Sequence, residues 1–281
     1  MNTPMDPTSP SLRPTGQHSQ IPPWAKWVAL FMLFLGVVLE VFALSINTVL
    51  FKAINSCSSL LDPTVWSFLT WLGDTSLLWP MLLPLMKKHP KALLCAVASV
   101  PVGGCLSWLL KWAFHSPRPA GVLDLSEFTI IGPTLTQHAF PSGHTITAFA
   151  ACVAVILGVN WGKSIWAKIG PLCLVVAAAL IGLSRIMVGA HWPWDVLAGA
   201  GVGSLSAMVG WYAIERYPKL LHQVNLQRSI VLIFWVMALT HLMTPLQDIA
   251  YVLATSMSIV LATWGAIAYL WSSSRAVTPD L

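Results

Sequence analysis

Charge is what this 281-residue chain has least of: charged side chains make up 9% of it, and Asp and Glu together number ten. A soluble domain with a solvated surface is hard to build from such material. No cluster of acids with the spacing of a divalent-cation site is visible, so neither metal nor cofactor is expected. Cysteine is sparse too. Cys57, Cys95, Cys105, Cys152 and Cys173 show no disulfide or metal-ligand spacing, and all but Cys57 fall in apolar segments. They read as small core hydrophobes and leave the redox compartment open. An internal repeat between the two halves is also missing, which weakens any reading as a transporter built from paired inverted repeats.

What the chain has is apolar length. Hydrophobic residues make up 56% and the mean hydropathy is +0.73. Segments able to cross a hydrocarbon core, each roughly 20 residues, can be placed eight times, near 24–44, 64–86, 92–112, 142–160, 169–188, 193–214, 229–244 and 247–271. The expected fold is all-α, a polytopic transmembrane helical bundle. The seventh segment is the weakest, being short and carrying Thr240 and His241 toward its end. Residues 1–23 hold six prolines among Ser, Thr, Gln and Asn and read as a disordered tail. A cleaved signal peptide competes at this end, but the long polar lead and the span-length apolar run favour a retained first helix.

The net charge of +5 is explained better by the bias of Lys and Arg to cytoplasmic loops than by a nucleic-acid partner, and none is expected. Under eight spans, Arg13, Lys26, Lys87, Lys88, Lys91, Lys163, Lys168, Arg216, Lys219, Arg228 and Arg275 fall on one side, eleven of the fifteen basic residues. The opposite side holds Lys52, Lys111, Arg118 and Arg185. Both termini are then cytoplasmic. Trp108, Trp112, Trp192 and Trp194 mark the non-cytoplasmic headgroup layer and Trp161 and Trp166 the other.

Three polar clusters gather on that non-cytoplasmic face: Lys111 with Arg118 and Pro119; Pro141, Ser142, Gly143 and His144; and Ser184, Arg185, His191 and Asp195. Lys111 alone reads as a lysine snorkelling from a helix end. Arg118, held extended between Pro117 and Pro119, adds a forked donor to that point charge, and together they suit one phosphate. Pro141 to His144 open an apolar helix, where free N–H groups and the positive dipole end favour an anion and Gly143 permits close approach. Ser142 also reads as a plain N-cap, and His144 as an interfacial side chain or as an acid titrating near neutrality. His191 and Asp195 are four apart, with Pro193 suited to a first helical turn, so the carboxylate can lie beneath the imidazole and leave its other nitrogen free to attack phosphorus. A capping Asp with a chance His nearby is the bland alternative.

With these motifs the chain resembles the type 2 phosphatidic acid phosphatase (PAP2) family, whose relatives include bacterial lipid phosphatases, glucose-6-phosphatase and vanadium haloperoxidases. The resemblance covers roughly residues 105–200 directly and implies a six-helix core, with the last two spans beyond it. It implies that Lys111, Arg118, Ser142, Gly143 and Arg185 bind phosphate. It also implies that His191, oriented by Asp195, attacks to give a phosphohistidine, while His144 protonates the leaving oxygen and then activates water.

The expected organisation is a tail at 1–23, a catalytic core at 24–214, and a C-terminal helix pair with a short tail at 215–281. The expected activity is a metal-independent phosphatase on a phospholipid or isoprenoid phosphate in an inner or plasma membrane. Substrate candidates are undecaprenyl diphosphate, phosphatidylglycerophosphate, phosphatidic acid and lipid A phosphates. A lipid phosphotransferase would use the same residues with an acceptor in place of water, and an anion or lipid transporter is the reading from another class. Among weaker polar positions, Asp74 lines the site or locks helices together, and Glu40 reads as interfacial. His115 and His138 flank a loop suited to a lid, and Asp124 and Glu127 face solvent.

Overall fold

The computed structural model describes residues 21–275, and every regular element among them is helical. In chain order these are α1 (Pro23–Phe42), α2 (Leu44–Asn55), α3 (Pro63–Trp71), α4 (Thr75–Met81), α5 (Leu85–Lys88), α6 (Pro90–Phe114), α7 (Gly143–Gly158), α8 (Trp166–Met187), α9 (Pro193–Arg216), α10 (Val224–Thr240) and α11 (Ile249–Arg275). Six segments, built on α1, α6, α8, α9, α10 and α11, are long and apolar enough to cross a bilayer. The chain is a multi-pass membrane protein. The proline-rich tail falls mostly outside the described residues.

The count of eight spans is not reproduced, for two reasons. The second expected span, 64–86, is three short helices. Gly73 interrupts it, Asp74 starts α4 by accepting from Ser76 N at 2.8 Å, and Pro80 and Pro84 cannot donate to a continuing helix. The fourth is α7, whose 16 residues extend about 24 Å at 1.5 Å per residue. It is shorter than the six spanning segments, yet it runs the depth of the bundle, since Gly158 at its end packs on Ala92 at the start of α6. The connection after the first span also holds a helix that hydropathy did not signal. α2 shows one buried face, with Asn47, Phe51 and Asn55 four residues apart.

α9 is the centre of the bundle, packed on α7, α1, α6 and α8. A Cβ on Gly201 would lie 2.6 Å from Leu33 N, one on Gly203 2.4 Å from Ile146 O, and one on Gly210 2.4 Å from Cys95 O. Hydrogen at these positions lets three other helices approach α9 backbone to backbone. This is the packing available where lipid removes the hydrophobic drive between helices. Cys95 and Cys152 are buried, but Cys105 and Cys173 are exposed on the helix exterior, so only the first two are core hydrophobes.

At one end of the bundle Lys91, opening α6, is ion-paired with Glu215, closing α9. Because these helices run antiparallel, the last turns of α6 and α8 and the first turns of α7 and α9 meet at the other end. α10 and α11 pack on α3, α4 and α5, with Ser258 Oγ donating to Leu77 O at 2.9 Å.

Candidate active site

The turn from α8 to α9 is built around one carbonyl. Arg185 O accepts from both Ala190 N at 3.0 Å and His191 N at 3.1 Å, folding the chain back so that two functional candidates six residues apart become neighbours. Gly189 makes the reversal at φ 76°, and a Cβ there would meet Thr129 O at 2.6 Å. Pro193 then starts α9. Asp195 Oδ2 accepts from Trp192 N at 2.8 Å and faces His191 Nδ1 at 3.1 Å, so one carboxylate oxygen both caps the helix and orients the ring. His191 is 1% exposed and Asp195 fully buried.

Pro141 to His144 join this turn through the backbone, since Ser142 N donates to Asp195 O at 3.0 Å. Ser142 occupies the N-cap position of α7 without making a side-chain cap. Its Oγ instead accepts from Thr145 Oγ1 at 3.0 Å. Space beside Gly143 is open, as an anion approaching the first-turn N–H groups requires. His144 is half-buried and lines a cavity of about 400 Å³ between α4, α6 and α7, together with Asp74, Ser76, Ser107 and Thr147.

The first cluster is tied to the other two through carbonyls. Lys111 Nζ donates to His138 O at 2.7 Å and to Pro141 O at 3.1 Å. Arg118 donates from Nε to Gln137 O at 2.8 Å and from Nη1 to Ala190 O at 3.2 Å. The stems of the loop 115–141 are cross-bonded, Arg118 N to Thr136 O and Ala139 N to Ser116 O, both at 2.9 Å. The loop is therefore pinned over this end of the bundle at its base. Arg185 is buried, and its Nε has no hydrogen-bond partner among the described residues.

The electrostatic consequence falls on His191. Burial first, then the Arg118 and Arg185 guanidiniums, with Lys111 and His144 adding, hold it well below the ordinary imidazole range. The ring is neutral, with one nitrogen engaged by Asp195 and the other available as a nucleophile. All eight candidate residues, Lys111, Arg118, Ser142, Gly143, His144, Arg185, His191 and Asp195, thus lie at one end of the bundle.

Several neighbours are missed by the sequence reading or are placed differently by the structure. Asn55 Nδ2 donates to Thr129 O and Ile186 O, both at 3.0 Å, and to Met187 O at 3.1 Å, while its Oδ1 accepts from Thr129 N at 2.7 Å. It stitches the long loop to the end of α8. Glu40 is buried rather than interfacial, and its Oε1 accepts from Ser116 Oγ at 2.6 Å. Trp192 is buried rather than in a headgroup belt, its Nε1 donating to Pro117 O at 2.8 Å and its ring 5.1 Å from that of Phe51. Lys52, the one basic residue outside the clusters on this side, pairs with exposed Glu127 at 2.9 Å. Of these, Asn55 is not singled out by the sequence reading, and its signal is a polar residue in phase with Asn47 and Phe51.

Comparison with known proteins points one way. Residues 92–219 match the PAP2 superfamily model. An undecaprenyl-diphosphatase of Sulfolobus acidocaldarius is 26% identical over 185 residues, 63% of this chain and 85% of the relative. A lipid A 1-phosphatase of Rhizobium etli is 32% identical over 120 residues, 41% of this chain and 45% of the relative, so this chain spans less than half of that protein. Among solved structures, Aquifex aeolicus LpxE superposes with a TM-score of 0.51 at 26% identity, covering 59% of this chain and 95% of that one.

Proposed function

From the match of residues 92–219 to the PAP2 superfamily model, we propose that the chain is an integral-membrane lipid phosphatase of that superfamily, hydrolysing a phosphomonoester or diphosphate lipid at the non-cytoplasmic face. The observation that carries the reading is the buried His191–Asp195 pair at 3.1 Å, set among Lys111, Arg118 and Arg185. A neutral imidazole oriented by a carboxylate needs an electrophile, and three cations beside it select a phosphoryl group.

The reaction runs in two steps. Lys111, Arg118, Arg185, Ser142 and the N–H of Gly143 hold the phosphoryl oxygens. His191 attacks through the nitrogen that faces away from Asp195, and the bond from phosphorus to the leaving oxygen breaks as His144 delivers a proton to it. The phosphohistidine formed is then hydrolysed by a water whose proton passes to His144. The chain's own cations provide the charge neutralisation that phosphoryl transfer demands. Relatives named for undecaprenyl diphosphate and lipid A support a lipid substrate whose tail stays in the bilayer while its phosphate reaches the helix ends.

Phosphate release from a panel of lipid phosphates, in detergent with chelator and no acceptor alcohol, tests this proposal. Turnover should persist, an acid-labile phosphoenzyme should be trapped, and His191→Ala should lose both while still binding phosphate. Turnover surviving His191→Ala, or activity abolished by chelator, overturns it.

A further inference from the structure

The C-terminal helix pair reaches the catalytic end through a hydrogen-bond chain. In the turn after α10, His241 Nε2 lies 3.0 Å from Ser76 Oγ and its Nδ1 lies 3.0 Å from Tyr251 OH, which in turn bonds Thr244. Ser76 donates both its N–H and its hydroxyl to Asp74 Oδ1. A hydroxyl has one proton, so Ser76 must accept from His241, which fixes Nε2 as a donor. The chain Tyr251–His241–Ser76 thus ends on the Asp74 carboxylate, joining His241 to Ser76 across a sequence separation of 165.

Asp74 is placed where that matters. It lines the cavity beside His144. The preceding Gly73 is wedged so that a Cβ would lie 2.7 Å from Ile181 and 3.0 Å from His144. Ile181 is one turn below Arg185 on the same face of α8, and Thr70 of α3 bonds Ser184 at 3.0 Å. The Asp74 carboxylate is within electrostatic reach of the buried Arg185, whose Nε is unpartnered among the described residues.

We propose that Asp74 is a positioning residue and standing counter-charge for Arg185, held by His241 through Ser76, and that the C-terminal helix pair thereby tempers how tightly the site holds phosphate. This rests on the reading of Arg185 as a phosphate ligand. Three cations in a low-dielectric pocket grip an oxyanion strongly, and a fixed carboxylate behind one of them weakens that grip enough for inorganic phosphate to leave.

The test exploits a property of helix caps. Asn caps a helix as well as Asp does, so Asp74→Asn keeps α4 while removing the charge. Binding of inorganic phosphate and of orthovanadate to the purified full-length protein is measured directly, alongside turnover. Asp74→Asn should bind both about ten-fold more tightly, with kcat reduced as product release slows. Ser76→Ala and His241→Ala should tighten binding two- to three-fold, and neither should add to Asp74→Asn in the double variants. Should His241→Ala fail to fold, the Ser76→Ala cycle carries the same information. Unchanged or weaker binding in Asp74→Asn, as a purely structural cap predicts, overturns the proposal, and additive effects overturn the relay. Wild-type protein that binds phosphate without turning over lipid would remove the phosphatase reading and leave this one testable. Wild-type protein that binds neither anion overturns both.

Discussion

Asp195 holds His191 and the backbone N–H of Trp192 with the same carboxylate oxygen, at 3.1 and 2.8 Å. Orientation of the imidazole and initiation of α9 are therefore one structural event. Asp195→Asn keeps the cap, since an amide oxygen accepts from Trp192 as well, but it no longer stabilises a positive charge developing on the ring. The expected outcome is a protein that melts within a few degrees of wild type and has kcat lowered by about 10²- to 10⁴-fold. Thermal unfolding in detergent and single-turnover kinetics measure the two effects separately.

The depressed basicity of His191 sets a pH dependence. Burial, then Arg118 and Arg185, hold it well below its ordinary 6.5. A lowered value keeps the imidazole neutral to lower pH, so the acid limb of kcat/KM due to this group lies below pH 6.5. Arg118→Gln removes one of those cations, so the limb moves upward while kcat/KM itself falls by about 10- to 100-fold. Profiles of both proteins on the same substrate provide the check, and a limb that stays fixed or moves down contradicts the electrostatic account.

Asn55 bridges three carbonyls and one N–H from the loop 115–141 and the end of α8. Asn55→Ala leaves those buried groups unpaired, at a cost of about 1–3 kcal/mol. Asn55→Asp costs more, because it turns a carboxylate toward three acceptors. Both variants should melt below wild type in that order, and both should lose activity through a loosened Arg185–His191 turn.

Cys57 offers a test of sidedness without any engineered residue. It is exposed just beyond α2, at the end where Asn55 meets the α8 terminus. A membrane-impermeant maleimide added to intact cells should label the protein, and Cys57→Ser should abolish that labelling. Cys95 and Cys152 are buried, and Cys105 and Cys173 sit within α6 and α8, so they provide the low background. Labelling only after the membrane is permeabilised would put the site on the cytoplasmic side.

The apolar runs of α1, α6, α8, α9, α10 and α11 were legible to within a few residues, because a membrane-crossing helix satisfies its backbone internally and needs only length and low charge. The candidate reactive groups also stood out, since cations and imidazoles in an apolar chain are costly. The break at Gly73 and Asp74 was not legible. Hydropathy averages over a window, whereas helix continuity there depends on single residues and on α10 and α11 bracing the fragments. Nor did spacing reveal that Arg118 would reach Ala190 O, or that His241 would find Ser76. Those pairings join positions 72 and 165 residues apart, and they exist only because the helices that carry them pack together. By itself the sequence determined that the chain sits in a membrane and marked out its candidate residues. Only the tertiary structure decided which of them touch, because a hydrogen bond is set by ångström-scale register between helices, and that register is a property of the packed bundle rather than of any segment.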